Sequence, residues 1–188
     1  MKRVLVLTAI VVFGFSDLQA QEIEFGAKLG INFSDILGDN TLRDGPITSI
    51  PMLAIYAEIP LNEKFSFQPE LQYSPQGFGT GSGTDELVSL QYLNLPLMGK
   101  YYVTKGLSLE AGPQIGFLLG ADSQGLDVKD AFKTLDFGVN VGLGYKLNNG
   151  LNFGFRYNLG LSNINGVDAS PDSFRNGTGQ LTVGYSFL

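Results

Sequence analysis

The stretch Ile23-Glu24-Phe25-Gly26-Ala27-Lys28-Leu29-Gly30-Ile31-Asn32-Phe33 alternates without a break between apolar residues and residues that are small, polar or charged. Successive side chains of an extended chain point to opposite faces, so a period of two over this length describes a strand with one oily face. The pattern returns in Leu53 to Leu61, Phe65 to Tyr73, Leu93 to Val103, Leu107 to Leu119, Leu135 to Leu147, Leu151 to Leu161 and Leu181 to Phe187. Eight strands are predicted, several near the length of roughly 9–11 residues that a tilted strand needs to cross a bilayer.

Short and long connections alternate. Asn62-Glu63-Lys64, Thr104-Lys105-Gly106 and Asn148-Asn149-Gly150 are three-residue turns, whereas the segments near 34–50, 74–91, 120–134 and 162–179 are long, polar and rich in Gly, Asp and Ser. Short turns at one end and long loops at the other belong to outer-membrane barrels, with the short turns periplasmic.

Every odd-numbered position of the eight strands is apolar, Gly, Pro or Tyr, and the charges Glu24, Lys28, Glu58, Glu70, Lys100, Glu110, Asp136, Lys146 and Arg156 are all even. A slip of one residue exchanges the faces, so the shared parity marks two real surfaces. Volume decides which is inside. The odd face carries Phe25, Phe33, Phe65, Phe67, Tyr73, Tyr101, Phe117, Phe137, Tyr145, Phe153, Phe155, Tyr157, Tyr185 and Phe187. That bulk overfills an eight-stranded lumen, which is just wide enough for ordinary side chains. The even face is small and polar, with Gly26, Gly30, Gly112, Gly116, Gly138, Gly142, Gly144, Gly154, Gly160 and Gly184 beside the few long charged chains. The fold expected is therefore all-β: an eight-stranded antiparallel up-and-down transmembrane barrel with lipid outside and a polar lumen inside.

The first residues read as a cleavable signal peptide: Met1-Lys2-Arg3, an uncharged run from Val4 to Phe15, then Ser16-Asp17-Leu18-Gln19-Ala20. The run is shorter than the roughly 20 residues of a membrane helix. Residues 1–20 are assigned to the signal and 21–188 to one barrel domain, with cleavage after Ala20. Removing Lys2, Arg3 and Asp17 from 12 bases and 18 acids leaves 10 and 17, a net charge of −7 that argues against binding nucleic acid or anionic lipid through a basic surface. Cys and His are both absent. That removes thiolate sites, the commonest metal ligand and the commonest general base.

Leu109-Glu110-Ala111-Gly112-Pro113-Gln114-Ile115-Gly116-Phe117-Leu118-Leu119, Asp136-Phe137-Gly138 to Gly144-Tyr145, and Leu151 to Leu161 resemble the small outer-membrane β-barrel proteins of the porin-family kind, related in shape to the OmpA/OmpX barrels. The resemblance covers the chain from residue 21 onward and implies an architecture, with no catalytic residues to carry over. Such proteins commonly end on an aromatic residue read by the barrel-assembly machinery, and here Phe187 stands one place early.

Among candidate sites, the nine even-numbered charges form either a structural ion network that fills the lumen or the lining of a narrow polar path. Buried charges persist only with partners, which favours the network. Glu58 and Glu70 are a carboxylate pair with no substrate pocket evident beside them. Barrel enzymes that act on membrane lipids use a His beside a Ser, which this chain lacks. The loop acids Asp35, Asp39, Asp44, Asp122, Asp127, Asp130, Asp168 and Asp172 do not have the spacing of an EF-hand. Gly77 to Gly83 has the glycines of a phosphate loop without the strand-to-helix context, and reads as a flexible loop. No catalytic residue, cofactor or metal is expected. The partners expected are outer-membrane lipid and lipopolysaccharide, the assembly machinery during insertion, and an extracellular ligand at the loops. The function expected is envelope structure or surface interaction; the alternatives are a narrow passive channel and, more distantly, a membrane-lipid enzyme.

Overall fold

Alternation of this kind closes into a ring. The computed structural model describes residues 22–38, 47–80, 86–167 and 173–187. They form β1 (Glu24–Gly38), β2 (Ile47–Pro60), β3 (Phe65–Thr80), β4 (Glu86–Tyr102), β5 (Leu107–Ser123), β6 (Leu126–Asp127), β7 (Leu135–Lys146), β8 (Leu151–Gly160) and β9 (Phe174–Phe187). The expected signal peptide lies outside the described residues. Eight strands pair antiparallel in the circuit β1-β2-β3-β4-β5-β7-β8-β9, and β1 pairs β9 from Phe25↔Phe187 to Gly38↔Phe174 to close it. The two-residue β6 folds back on the top of β5. Full closure leaves no barrel edge with unpaired backbone groups, as a hydrocarbon environment demands.

The short turns are built by local bonds. Asn62 Oδ1 accepts from the backbone N–H of Lys64 (2.9 Å) and Phe65 (3.0 Å), and Asn149 Oδ1 accepts from Leu151 N–H (3.1 Å). Gly106 and Gly150 sit at φ +102° and +89°, where a side chain is strained.

The odd face is exposed and oily: Phe25, Leu29, Ile55, Leu71, Leu109, Val141, Phe155 and Tyr185 all stand on the outside. The even face is buried, with Asn32, Gln68, Glu70, Gln72, Asn94, Asn140, Asn158 and Gln180 each no more than 2 % exposed.

The strands run further toward the long-loop end than the alternation predicted. Residues 34–38, 47–52, 74–80, 86–92, 120–123 and 174–180 are strand rather than loop. Two bulges account for where the signal stopped. Ile50 and Pro51 of β2 together face the single Ile31 of β1, and on β5 Leu119 is extra between Leu118, opposite Tyr92, and Gly120, opposite Gln91. Each bulge shifts parity beyond it, so that Ala121 is buried and Asp122 exposed. Elsewhere, as in Arg175-Asn176-Gly177-Thr178-Gly179-Gln180, neither face is oily, and ladder bonds alone define the strand. Gly77 to Thr80 also belongs to β3, which corrects its reading as flexible loop, while Gly81 to Gly83 lies outside the described residues.

A second correction concerns the lumen, which is not polar throughout. At the long-loop end Ile36, Phe78, Val88, Leu90, Tyr92, Leu118, Ala121, Ile164 and Phe174 pack into an apolar cluster, with Val128 and Phe132 against it. Ile164 comes from the connection after β8 and is fully buried. Its segment is pinned by Ile164 N–H to Phe174 O (2.8 Å), Lys133 N–H to Ile164 O (2.8 Å) and Gly166 N–H to Ala131 O (2.9 Å). The connections 124–134 and 161–167 thus fold over the mouth as an apolar cap.

Candidate functional site

Below the cap the lumen is stratified. The middle holds uncharged amides and hydroxyls: Asn158 Nδ2 donates to Asn140 Oδ1 (3.2 Å), Asn140 Nδ2 to Gln114 Oε1 (3.1 Å), and Thr178 Oγ1 to Gln76 Oε1 (3.1 Å). Asn32 Nδ2 reaches Ser74 Oγ (3.0 Å) and Pro75 O (2.6 Å). This belt spans β1, β3, β5, β7, β8 and β9, tying opposite walls together.

The lower lumen holds the charges. Arg156 of β8 donates Nη1 to Glu70 Oε2 (3.0 Å) and Nη2 to Glu70 Oε1 (2.9 Å) in a bidentate pair, and Nη2 also reaches Glu110 Oε2 (3.0 Å). Lys28 Nζ adds a bond to Glu70 Oε1 (2.8 Å). Lys100 Nζ stands 3.0 Å from Glu58 Oε2 and 3.7 Å from Glu110 Oε1. Lys146 pairs with Glu24 and lies 3.8 Å from Glu58 Oε2. Four acids and four bases therefore form one connected, neutral network across the lumen.

The register explains the placement. Lys100 stands opposite Glu110 across the Thr104–Gly106 turn, and Arg156 stands opposite Gly142. A Cβ on Gly142 would lie 2.4 Å from Phe155 O and 3.2 Å from Arg156 Cβ. The missing side chain lets the Arg156 strand lie close. Gln68 Nε2 donates to Glu70 Oε1 (2.6 Å), Ser108 Oγ donates to Glu110 Oε1 (3.2 Å), and Tyr102 Oη donates to Glu58. Lys28 lies over the Tyr56 ring at 4.8 Å, and Tyr56 Oη bonds Ser186 Oγ (2.8 Å) and Asn152 Nδ2 (2.9 Å). Sequence reasoning did not single out Tyr56, Gln68, Tyr102 or Ser108, although their even numbers on strands of known parity place them inside.

Asp136 is not brought into the network. It sits higher, buried, where Ser162 Oγ donates to Oδ1 (2.6 Å) and Asn176 Nδ2 to Oδ2 (2.8 Å), and it makes no ion pair among the described residues. Ser162 Oγ also accepts from Phe137 N–H (2.9 Å), so this carboxylate anchors the start of the capping segment. Of the loop acids, Asp39, Asp44, Asp168 and Asp172 lie outside the described residues. Asp35, Asp122 and Asp127 accept backbone N–H bonds from Ile36, Gly125 and Lys129. Among the described residues no three acids gather as for a metal ion.

The lower lumen holds a cavity of about 20 Å³ whose lining includes Lys28, Glu70, Lys100, Glu110 and Arg156, room for roughly one water. At the short-turn end it faces a vestibule of about 1020 Å³ whose inner wall carries Glu24, Glu58, Tyr102 and Lys146.

A family model described as the outer membrane protein beta-barrel domain matches residues 19–166. The chain belongs to that family. Solved structures similar in fold include the attachment invasion locus protein Ail of Yersinia pestis, crystallised with the heparin analogue sucrose octasulfate. It is 16 % identical, covering 89 % of this chain and 100 % of that one, with a TM-score of 0.55. Neisserial surface protein A is 14 % identical over 89 % of this chain and 100 % of its own, with a TM-score of 0.57. Comparison with curated proteins gave no match. This outer membrane barrel protein resides in the outer membrane, where barrels of this kind keep their short turns on the periplasmic side.

Proposed function

We propose that this outer membrane barrel is closed to solutes and serves the envelope as a rigid, lipid-embedded frame that presents a surface at its long-loop end. The observation that carries this reading is the apolar cap above the ion network: two seals of opposite chemistry lie in series along one lumen. A conducting pore needs water along its length, and selective pores line that water with charge of one sign or with carbonyls. Here the charges are balanced and mutually paired, and the wider lumen above them is filled by Leu90, Tyr92, Leu118 and Ile164.

The partners proposed are outer-membrane lipid and lipopolysaccharide around the wall, the assembly machinery during insertion, and an extracellular ligand at the loops. The carboxylates of the lumen are engaged by cations and amides, which supports a structural role for them over acid or base catalysis. Liposome swelling tests the reading. Vesicles carrying the wild-type protein should shrink and recover in a small sugar at the rate of empty vesicles. A rate that rises with protein content would favour the narrow passive channel instead.

A further inference from the structure

The lipid-facing wall is not uniform. Inward-facing small residues lie in one lateral row across four strands, Gly144↔Gly154 between β7 and β8, Gly154↔Thr182 between β8 and β9, and Thr182↔Gly30 between β9 and β1. Bulky outward residues border the row on each side, with Leu143, Phe155 and Leu181 above and Tyr145, Phe153 and Val183 below. Between these borders runs an apolar furrow of about 750 Å³.

The furrow starts at Leu107, the first residue of β5 after a periplasmic turn, and ends at Pro51, the bulge of β2. Along that course its lining climbs the strands. Tyr145 is next to the periplasmic end of β7, Val183 lies four residues from that end of β9, and Pro51 nine from that end of β2. From β5 to β2 there are five inter-strand steps, about 24 Å at the usual strand spacing of about 4.8 Å. Strands tilted by about 35–45° turn the hydrogen-bonding direction to about 50° from the membrane normal, so the furrow rises by about 15 Å. That is half of a hydrocarbon core about 30 Å thick, the depth of one leaflet. Two residues before Leu107, in the turn that leads into the furrow's lower end, is Lys105, which borders the vestibule, is exposed and is in no ion pair among the described residues.

We infer that this furrow seats one acyl chain of a periplasmic-leaflet phospholipid, with the lipid phosphate at Lys105. The occupant follows from the place: the furrow is continuous with the lipid-facing wall, has the length of a single chain, spans one leaflet and has a cation where the headgroup lies. Here a chain gains contact on two sides, which is the packing that dispersion rewards.

The test is native mass spectrometry of the full protein, released in mild detergent from vesicles of phosphatidylglycerol and phosphatidylethanolamine. Wild type should retain a single phospholipid, mostly phosphatidylglycerol. Val183→Trp and, independently, Leu143→Trp fill the furrow and should cut the retained fraction about tenfold, a change of about 1.4 kcal/mol. Val141→Trp, on the same oily face but outside the furrow, should retain lipid as wild type does, and Lys105→Ala should abolish the preference for phosphatidylglycerol. Heat-modifiable migration checks that each variant is folded. Equal retention by the furrow variants and Val141→Trp, or no discrete single lipid on wild type, would overturn the inference, and an unchanged preference in Lys105→Ala would overturn its headgroup part.

Discussion

Arg156→Met removes the hub of the lumen network without opening a large void. The guanidinium supplies both bonds of the pair with Glu70 and a bond of 3.0 Å to Glu110. After its loss Glu70 keeps Lys28 at 2.8 Å and Gln68 at 2.6 Å, whereas among the described residues Glu110 keeps Ser108 at 3.2 Å and Lys100 at 3.7 Å. Both carboxylates are buried, and their four-against-four balance becomes one acid in excess. Stripping one partner from such a pair costs about 3–5 kcal/mol, because a charge is left in low dielectric. The measurement is the urea midpoint for reversible folding into thin phosphatidylcholine vesicles. The companion Arg156→Met with Glu70→Gln leaves three acids and three bases, and should recover more than half of the loss. A single variant within 1 kcal/mol of wild type, or a double variant less stable than the single, would refute the account of the network as mutually compensating charges.

Val139→Arg, which places a cation on the lipid face, should cost about 2–4 kcal/mol in the same folding assay. Asn140 on the opposite face is fully buried between Gln114 and Asn158, so Asn140→Arg should also destabilise, by about 1–3 kcal/mol of overpacking. Gly142→Ala brings a Cβ to 2.4 Å from Phe155 O, so the β7 and β8 backbones must separate; its urea midpoint should fall by an amount comparable to Asn140→Arg. Ser162→Ala withdraws a donor from Asp136 and an acceptor from Phe137 N–H, and should cost about 1–3 kcal/mol, with faster hydrogen exchange at Phe137 and Ile164 while the periplasmic turns stay as they were.

The wall of the barrel was legible because lipid imposes a rule that every residue of the span obeys: one parity oily, the other not. Lys100 and Glu110 across a three-residue turn, and Arg156 across from Gly142, follow from that rule and counting alone. Legibility ended where the rule does. Above Leu53 and beyond Leu119 the bulges invert parity, and from Arg175 to Gln180 neither face is oily, so the strand is held by ladder bonds that leave no periodic trace. The cap was hidden for a different reason. Leu90, Leu118 and Ile164 gather from three segments of remote sequence, and no local pattern announces that Ile164 turns inward from between Asn163 and Asn165. Asp136 shares the parity of the other charges, but parity fixes the face and not the height, and its height puts it with Ser162 and Asn176 instead of Arg156.

The closed lumen is the centre of the account, and single-channel recording in planar bilayers tests it most directly. Wild-type protein should give no discrete conductance. Because the cap and the network lie in series, Arg156→Ala alone and Ile164→Ala alone should stay silent or nearly so, and only the two together should pass current. Steady conductance steps from wild type, unaltered by either substitution, would contradict a lumen sealed twice.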